Sequence, residues 1–261
     1  MHCLGFLIVF YFCSARADSH KPPPAAGATA EISRWPFAVS PQTHLWGSVW
    51  VPHCAGALIS TTTVLSAAQC YHMPSPRLRV RLGSTYSTFG GTLITVSSYT
   101  NHPDYDPTAG DHDVALLRLA ESAVLSAVVQ LARIPAAVFP ISDGSRVDAV
   151  GWGQLEYDDD ASITLKEAAL QTVNQDICTQ RYANLHPDPE GTQIYQVTSR
   201  MLCAEPATEG LGMCEAGAPV VVSGDVVVGV QSWGFHCGGS VYPQVVTRVS
   251  EFSDWIVANG S

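Results

Sequence analysis

Basic residues are scarce in this chain: Lys and Arg number 13 against 23 Asp and Glu, a formal charge of −10 over 261 residues. A surface of that sign repels phosphate backbones and anionic headgroups, which argues against nucleic acid or an anionic membrane as partner. Long apolar runs are also lacking. The stretch Leu4–Phe12 holds nine residues, too few to span a bilayer. There is no C-x-x-C pair, no histidine cluster beside the cysteines, no internal repeat and no mononucleotide loop, so a zinc module, a solenoid and a nucleotide-binding fold are not expected. The acidic stretch Glu156, Asp158, Asp159 and Asp160 lacks converging partners and reads as a solvated loop, with a metal site as the sharper alternative.

What is present points outward from the cell and toward β-structure. Residues 1–17 combine the apolar run with small residues at Ala15-Arg16-Ala17, the pattern of a secretory signal. The leading residues carry only His2 as a basic group, and a membrane anchor is the alternative. Cleavage after Ala17 removes Cys3 and Cys13 and leaves six cysteines. In an exported chain these suggest three disulfides, with free buried thiols as the other reading. Residues 18–34 are rich in Pro and Ala and read as an extended lead-in. Beyond them come short Val-rich runs such as "GALIS", "LRVRLG", "APVVVSG" and "DVVVGVQSWG", broken by Gly, Pro, Asp and Ser. Strands of that length and spacing predict an all-β sandwich or barrel. Only the tail Val249–Gly260 has a helical rhythm, through Phe252, Trp255, Ile256 and Ala258. Asn259-Gly260-Ser261 is a formal glycosylation sequon at the very end of the chain.

Five blocks then fall in order: "CAGALISTTTVLSAAQC" (Cys54–Cys70), "HPDYDPTAGDHDVALLRL" (His102–Leu119), "GWG" (Gly151–Gly153), "QSWGFHC" (Gln231–Cys237) and "YPQVVTRVSEFSDWI" (Tyr242–Ile256). Together they resemble the trypsin/chymotrypsin family of serine proteases. The resemblance implies two six-stranded antiparallel β-barrels with a C-terminal helix over residues 35–258, and a site in the cleft between the barrels. It also implies disulfides Cys54–Cys70, Cys178–Cys203 and Cys214–Cys237.

The same resemblance marks departures at the catalytic positions. Such a protease needs an activated hydroxyl, an imidazole to move its proton, a carboxylate to orient the imidazole, and donors for the oxyanion. Where the family places its histidine this chain has Gln69, whose amide cannot act as a base near neutral pH. His53 and His72 lie nearby but would need the backbone to reorganise. The aspartate is kept as Asp113, with Ser232 matching the serine that holds it, and Gln69 is expected to donate its amide to Asp113. The nucleophile stands in the family pattern C-x-G-D-S-G-G-P. Here the segment Cys214–Pro219 has four residues between Cys and Pro instead of six. Ala216 takes the place of the serine and Glu215 the place of the preceding Gly-Asp pair. Two lost residues remove roughly 7 Å of chain, so the oxyanion donors are expected not to form. The activating amino-terminal Ile-Val-Gly-Gly matches Pro24–Gly27, which cannot supply it. The pocket positions are Gly212, Ser232, Trp233, Gly234 and Gln244. Gly212 lies where trypsin-like members carry an acidic floor, and Gln244, in place of a wall glycine, is expected to fill the pocket. The segment Gly83–Gly91 has no carboxylate, so no calcium loop is expected, and no metal or cofactor is called for.

These readings predict a secreted, monomeric protein that is not an enzyme. It would bind a protein partner (a protease, an inhibitor or a cascade component) as cofactor, decoy or regulator. A weakly active or unconventional serine-type endopeptidase is the first alternative, and a stable extracellular protein without a specific partner the second. The 24 residues between Cys178 and Cys203, including "NLHPDPEGTQIYQ", form the leading candidate for a contact loop.

Overall fold

The computed structural model describes residues 29–44, 49–71, 77–155, 160–185, 195–207, 211–237 and 241–260. The proposed signal at 1–17, most of the lead-in, His72, Glu156–Asp159, the centre of the "NLHPDPEGTQIYQ" loop and the last residue of the sequon lie outside them. Strands β1 (Ala38–His44), β2 (Trp50–Pro52), β3 (Gly56–Ser60), β4 (Thr63–Ser66), β5 (Leu78–Leu82), β6 (Thr92–Asn101) and β7 (Ala115–Leu119) build the first half. Their order is β2-β1-β3-β4-β7-β6-β5, and pairing of β5 back to β1 closes a six-stranded barrel with β2 appended. Strands β8 (Arg146–Gly151), β9 (Lys166–Val173), β10 (Met201–Pro206), β11 (Pro219–Val222), β12 (Val226–Trp233) and β13 (Gln244–Arg248) close the second barrel in the order β10-β13-β12-β11-β8-β9. All pairings within both barrels are antiparallel. Two closed antiparallel barrels are the fold that the resemblance implied. Closure leaves few free strand edges, which suits a chain made of many short strands.

The Val-rich run of β12 shows why some strands lack alternation. Val226 and Val228 pack inside the second barrel with Val147, Leu170 and Met213. Val227 and Val230 join the cluster that holds Leu58, Leu65 and Phe252. A strand buried on both faces reads as a continuous apolar run. By contrast, β6 shows mostly exposed side chains.

Two helices follow strands. The tail forms a 3-10 turn, Val249–Phe252, and then α2 (Ser253–Asn259), burying Phe252 and Ile256 against the shared core. The helix α1 (Gln175–Ala183) was not expected. Only Cys178 and Tyr182 are buried on it, so apolar periodicity gives almost no signal. Its start is set by Asn174, whose side chain accepts from the backbone N–H of Asp176 and Ile177, an N-cap that the sequence does carry. No described helix is long and apolar enough to cross a membrane.

Disulfides join Cys54 to Cys70, Cys178 to Cys203 and Cys214 to Cys237. The first holds the end of the β4 turn, the second ties α1 to β10, and the third anchors the segment that carries Ala216. In the Gly83–Gly91 loop the Arg81 guanidinium donates to the carbonyl oxygens of Ser87, Thr88 and Gly90. Carbonyls that converge there are thus satisfied by a cation from the chain itself.

Candidate active site

Asp113 stands just before β7, 1% exposed, with its carboxylate directed into the seam between the barrels. Its Oδ2 accepts from Ser232 Oγ and from Gln69 Nε2, each at 2.6 Å, and its Oδ1 accepts from Gln69 N at 2.8 Å. Burial raises the pKa of Asp113, while the Ser232 hydroxyl and the Gln69 donors pull it the other way. Thr247 Oγ1 donates to the Asp113 carbonyl at 2.7 Å, so the second barrel grips this residue from two strands.

Gln69 lies on the 3-10 turn Ala68–Cys70 that follows β4. Its Nε2 donates a second time, to Ser232 O at 2.7 Å. A carboxylate and a carbonyl can only accept, so both demand the nitrogen end of the amide. The side chain is therefore a two-handed donor bridging the barrels, and it offers no proton acceptor to Asp113. His53 is engaged elsewhere, with Nε2 2.7 Å from Cys70 O. Gln69→Leu is expected to remove the donor shared by Asp113 Oδ2 and the Ser232 carbonyl, leaving the carboxylate with Ser232 Oγ and the backbone N–H of residue 69, and to cost about 2–3 kcal/mol. Gln69→His, which keeps an N–H, should cost less than half as much; urea unfolding midpoints of the two variants give the comparison.

The segment Cys214–Ala218 forms the opposite wall. Cys214 N donates to Gln154 O, Gly217 N to Gln231 O and Ala218 N to Glu215 O, while Ala216 O accepts from Ala55 N. Three of its amide donors thus point into the protein. Ala216 is half-buried and offers only a methyl group. Glu215 turns its carboxylate inward over Gly151 and Gly153, where no side chain stands in the way. It accepts from Trp152 N at 2.5 Å and also from the Gly153 amide. Desolvation pushes the Glu215 carboxyl up to about 7, against the pull of those two backbone donors.

A cavity of about 380 Å³ opens between these walls, lined by Gln69, Gln154, Glu215, Ala216, Gln231, Ser232, Trp233, Gly234, Phe235, His236 and the Cys214–Cys237 disulfide. The structure therefore brings Gln69, Ala216, Ser232, Trp233 and Gly234 to one cavity, with Asp113 directly behind. Gly212 and Gln244 are not among its lining residues. Gly212 is buried and donates to Leu155 O. Gln244 is 1% exposed and aims its amide at Cys214 Sγ, 3.1 Å away. Its side chain packs behind the disulfide and leaves the cavity open, contrary to the expectation that it fills it. Glu215, Phe235 and His236 line the cleft without having been expected there. The signal for the last two is their place between Gly234 and Cys237.

With two closed barrels and this cleft in view, comparison with known proteins is decisive. The trypsin family model matches residues 25–256. The chain belongs to the trypsin family. It is 31% identical to "Trypsin, alkaline B" of Manduca sexta over 260 residues, covering 98% of each chain. It is 32% identical to "Trypsin 5G1" of Aedes aegypti over 88% of this chain and 82% of that one. To "Trypsin" of Phaedon cochleariae it is 34% identical, over 88% of this chain and 85% of that one. This trypsin-family kinship overturns the expectation that the chain is not an enzyme. Relatives over nearly its full length carry the name of active endopeptidases, and no finding marks the chain as inactive. What is specific to this chain is local: an amide at Gln69 and a methyl at Ala216.

Proposed function

We propose that this trypsin-family chain is a weak, unconventional endopeptidase that holds a polypeptide in the cleft between its barrels. The kinship with proteins named trypsins carries the reading. Gln69, Asp113 and Ala216 occupy the triad positions in altered form, and the Gln69–Asp113–Ser232 network fixes the seam instead of moving protons. Ser232, Trp233 and Gly234 form the wall along which the polypeptide lies. Trp233 Nε1 and Gln231 Oε1 are buried without a hydrogen-bond partner, a donor and an acceptor suited to peptide groups. Two proton acceptors line the cavity, Glu215 and His236. A carboxyl near 7 suits transfer of a proton from an attacking water at neutral pH.

Without a serine–imidazole pair, the expected enhancement is that of binding and local electrostatics alone, roughly 10³-fold over water. Three disulfides and the absence of a membrane-crossing helix among the described residues support an extracellular site of action. The test is long incubation of purified chain with a peptide mixture and mass-spectrometric search for new termini. Slow cleavage that disappears in the Glu215→Gln/His236→Gln double variant is expected. No new termini, or the same cleavage in the double variant, overturns the endopeptidase reading. Capture of uncleaved peptide would then leave the cleft as a polypeptide-binding site, the use that a cofactor or regulator of a cascade would make of it.

A further inference from the structure

We infer a divalent transition-metal site of the zinc class at His102, Asp104 and His112, separate from the cleft chemistry. One ligand atom from each of these residues lies within 4.8 Å of the others. A four-coordinate ion with bonds of about 2.0–2.1 Å needs ligand atoms about 3.3 Å apart. Closing from that spacing takes rotation of the exposed Asp104 side chain and of the imidazoles, with His102 ligating through Nε2 because its Nδ1 accepts from Asp104 N at 3.2 Å.

The site is built by the backbone. His102 ends the β6 excursion, with its N–H bonded to Val114 O, and His112 sits one residue before Asp113 in a left-handed conformation, φ 53°. Between them the chain closes on itself where Asp106 and Asp111 pair. This places residues ten apart in sequence face to face, with the two imidazole rings 5.0 Å apart and nearly parallel. Phe252 packs edge-on against both rings, and Trp255 packs against His102. Phe252 and Trp255 thus confine both rings to one place, and an ion binds after they turn out of this stacked arrangement so that a nitrogen lone pair of each, which lies in its ring plane, meets the ion. Asp111 Oδ1 lies 3.7 Å from His112 Nδ1 and is itself anchored by Arg200. At that distance the carboxylate is beyond hydrogen-bond range and acts on His112 only as a nearby negative charge.

The donor set selects the ion. Two imidazoles and one carboxylate suit zinc, nickel or copper, whereas calcium and magnesium require oxygen ligands. Three protein ligands leave a fourth position for water. No cysteine stands beside these histidines to mark them in the sequence, and only the Asp106–Asp111 closure assembles the group.

The test is zinc titration of tag-free purified chain against a chromophoric chelator. One zinc per chain is expected, with His102→Gln, His112→Gln and Asp104→Asn each weakening binding at least about tenfold. Asp104 is exposed, so its variant reads ligation even if loss of His102 disturbs the packing on Phe252. A wild-type chain that retains no zinc, or an Asp104→Asn/His112→Gln chain that binds as wild type does, overturns the site. The readout is metal content, so this outcome is independent of peptide cleavage.

Discussion

Gly217→Ala is expected to prevent accumulation of folded protein, while Gly144→Ala should lower stability by only about 1–2 kcal/mol. Both glycines have positive φ, 82° and 71°, so both substitutions carry the strain of a side chain in the left-handed region. They differ in what the new methyl group meets. At Gly144 nothing lies within 4 Å, whereas at Gly217 the Cβ would fall 2.3 Å from Ala55 O and 2.4 Å from Ser66 Oγ. Neither neighbour can yield. Ser66 Oγ donates to Ala55 O at 2.7 Å and accepts from Tyr71 OH at 3.0 Å, and Ala55 follows Cys54, which is bonded to Cys70. Ala55 N in turn donates to Ala216 O. A methyl there must break the contact between the shortened loop and the first barrel, a loss beyond about 4 kcal/mol and so comparable with the whole stability of many domains. Soluble yield and melting temperature of the two variants decide it. A Gly217→Ala chain that melts within a few degrees of Gly144→Ala would mean that this loop is not held as described.

The contrast between these glycines, alike in sequence and unlike in surroundings, also marks where sequence alone stops being informative. The barrels are legible because strand length, Val enrichment and turn residues are local signals, and the order of five blocks sets the topology by kinship. The bridge from Gln69 to Asp113 is legible too, since a buried carboxylate needs donors and an amide at that position supplies them. Helix α1 is hidden because only two of its residues are buried. The positions of Gln244 and Glu215 depend on how a loop two residues short settles, and spacing alone does not say which way a side chain turns. Gln244, expected in the cavity, lies behind the Cys214–Cys237 disulfide. Glu215 looks in the sequence like the remnant of a lost pair and is a half-buried acid facing the amides of Trp152 and Gly153. The expectation of a non-enzyme comes from weighing Gln69, Ala216, the two-residue loss before Pro219, the missing Ile-Val-Gly-Gly terminus and the pocket positions Gly212 and Gln244 against the rest of the chain, and kinship with proteins named trypsins weighs the other way.

Glu215 yields the second large effect, a slope of stability with pH that Glu215→Gln should remove. In the unfolded chain its carboxyl releases a proton near the ordinary value of 4.5, and in the folded protein near 7. Between those values the folded state binds more protons than the unfolded state, so stability falls as pH rises. The contribution is fully present below about 4.5 and is lost by about 7. At 1.36 kcal/mol per unit, the loss is about 3 kcal/mol. Asp113, also raised by burial, acts in the same direction, and Asp111, lowered by the Arg200 guanidinium and by hydrogen bonds despite its burial, acts the opposite way at lower pH. Both are unchanged by the substitution, so they cancel when the variant is subtracted from the wild type at each pH. The amide hydrogens that the substitution introduces shift that difference by a constant without altering its slope. Urea unfolding of both chains at closely spaced pH values from acid to neutral is the measurement, with the wild type expected to lose about 3 kcal/mol relative to the variant across the window. A difference that stays flat would mean that Glu215 is already ionised in the folded protein at low pH. Its carboxylate would then be unable to take a proton from water near neutrality, and the cleft would be left with His236 alone.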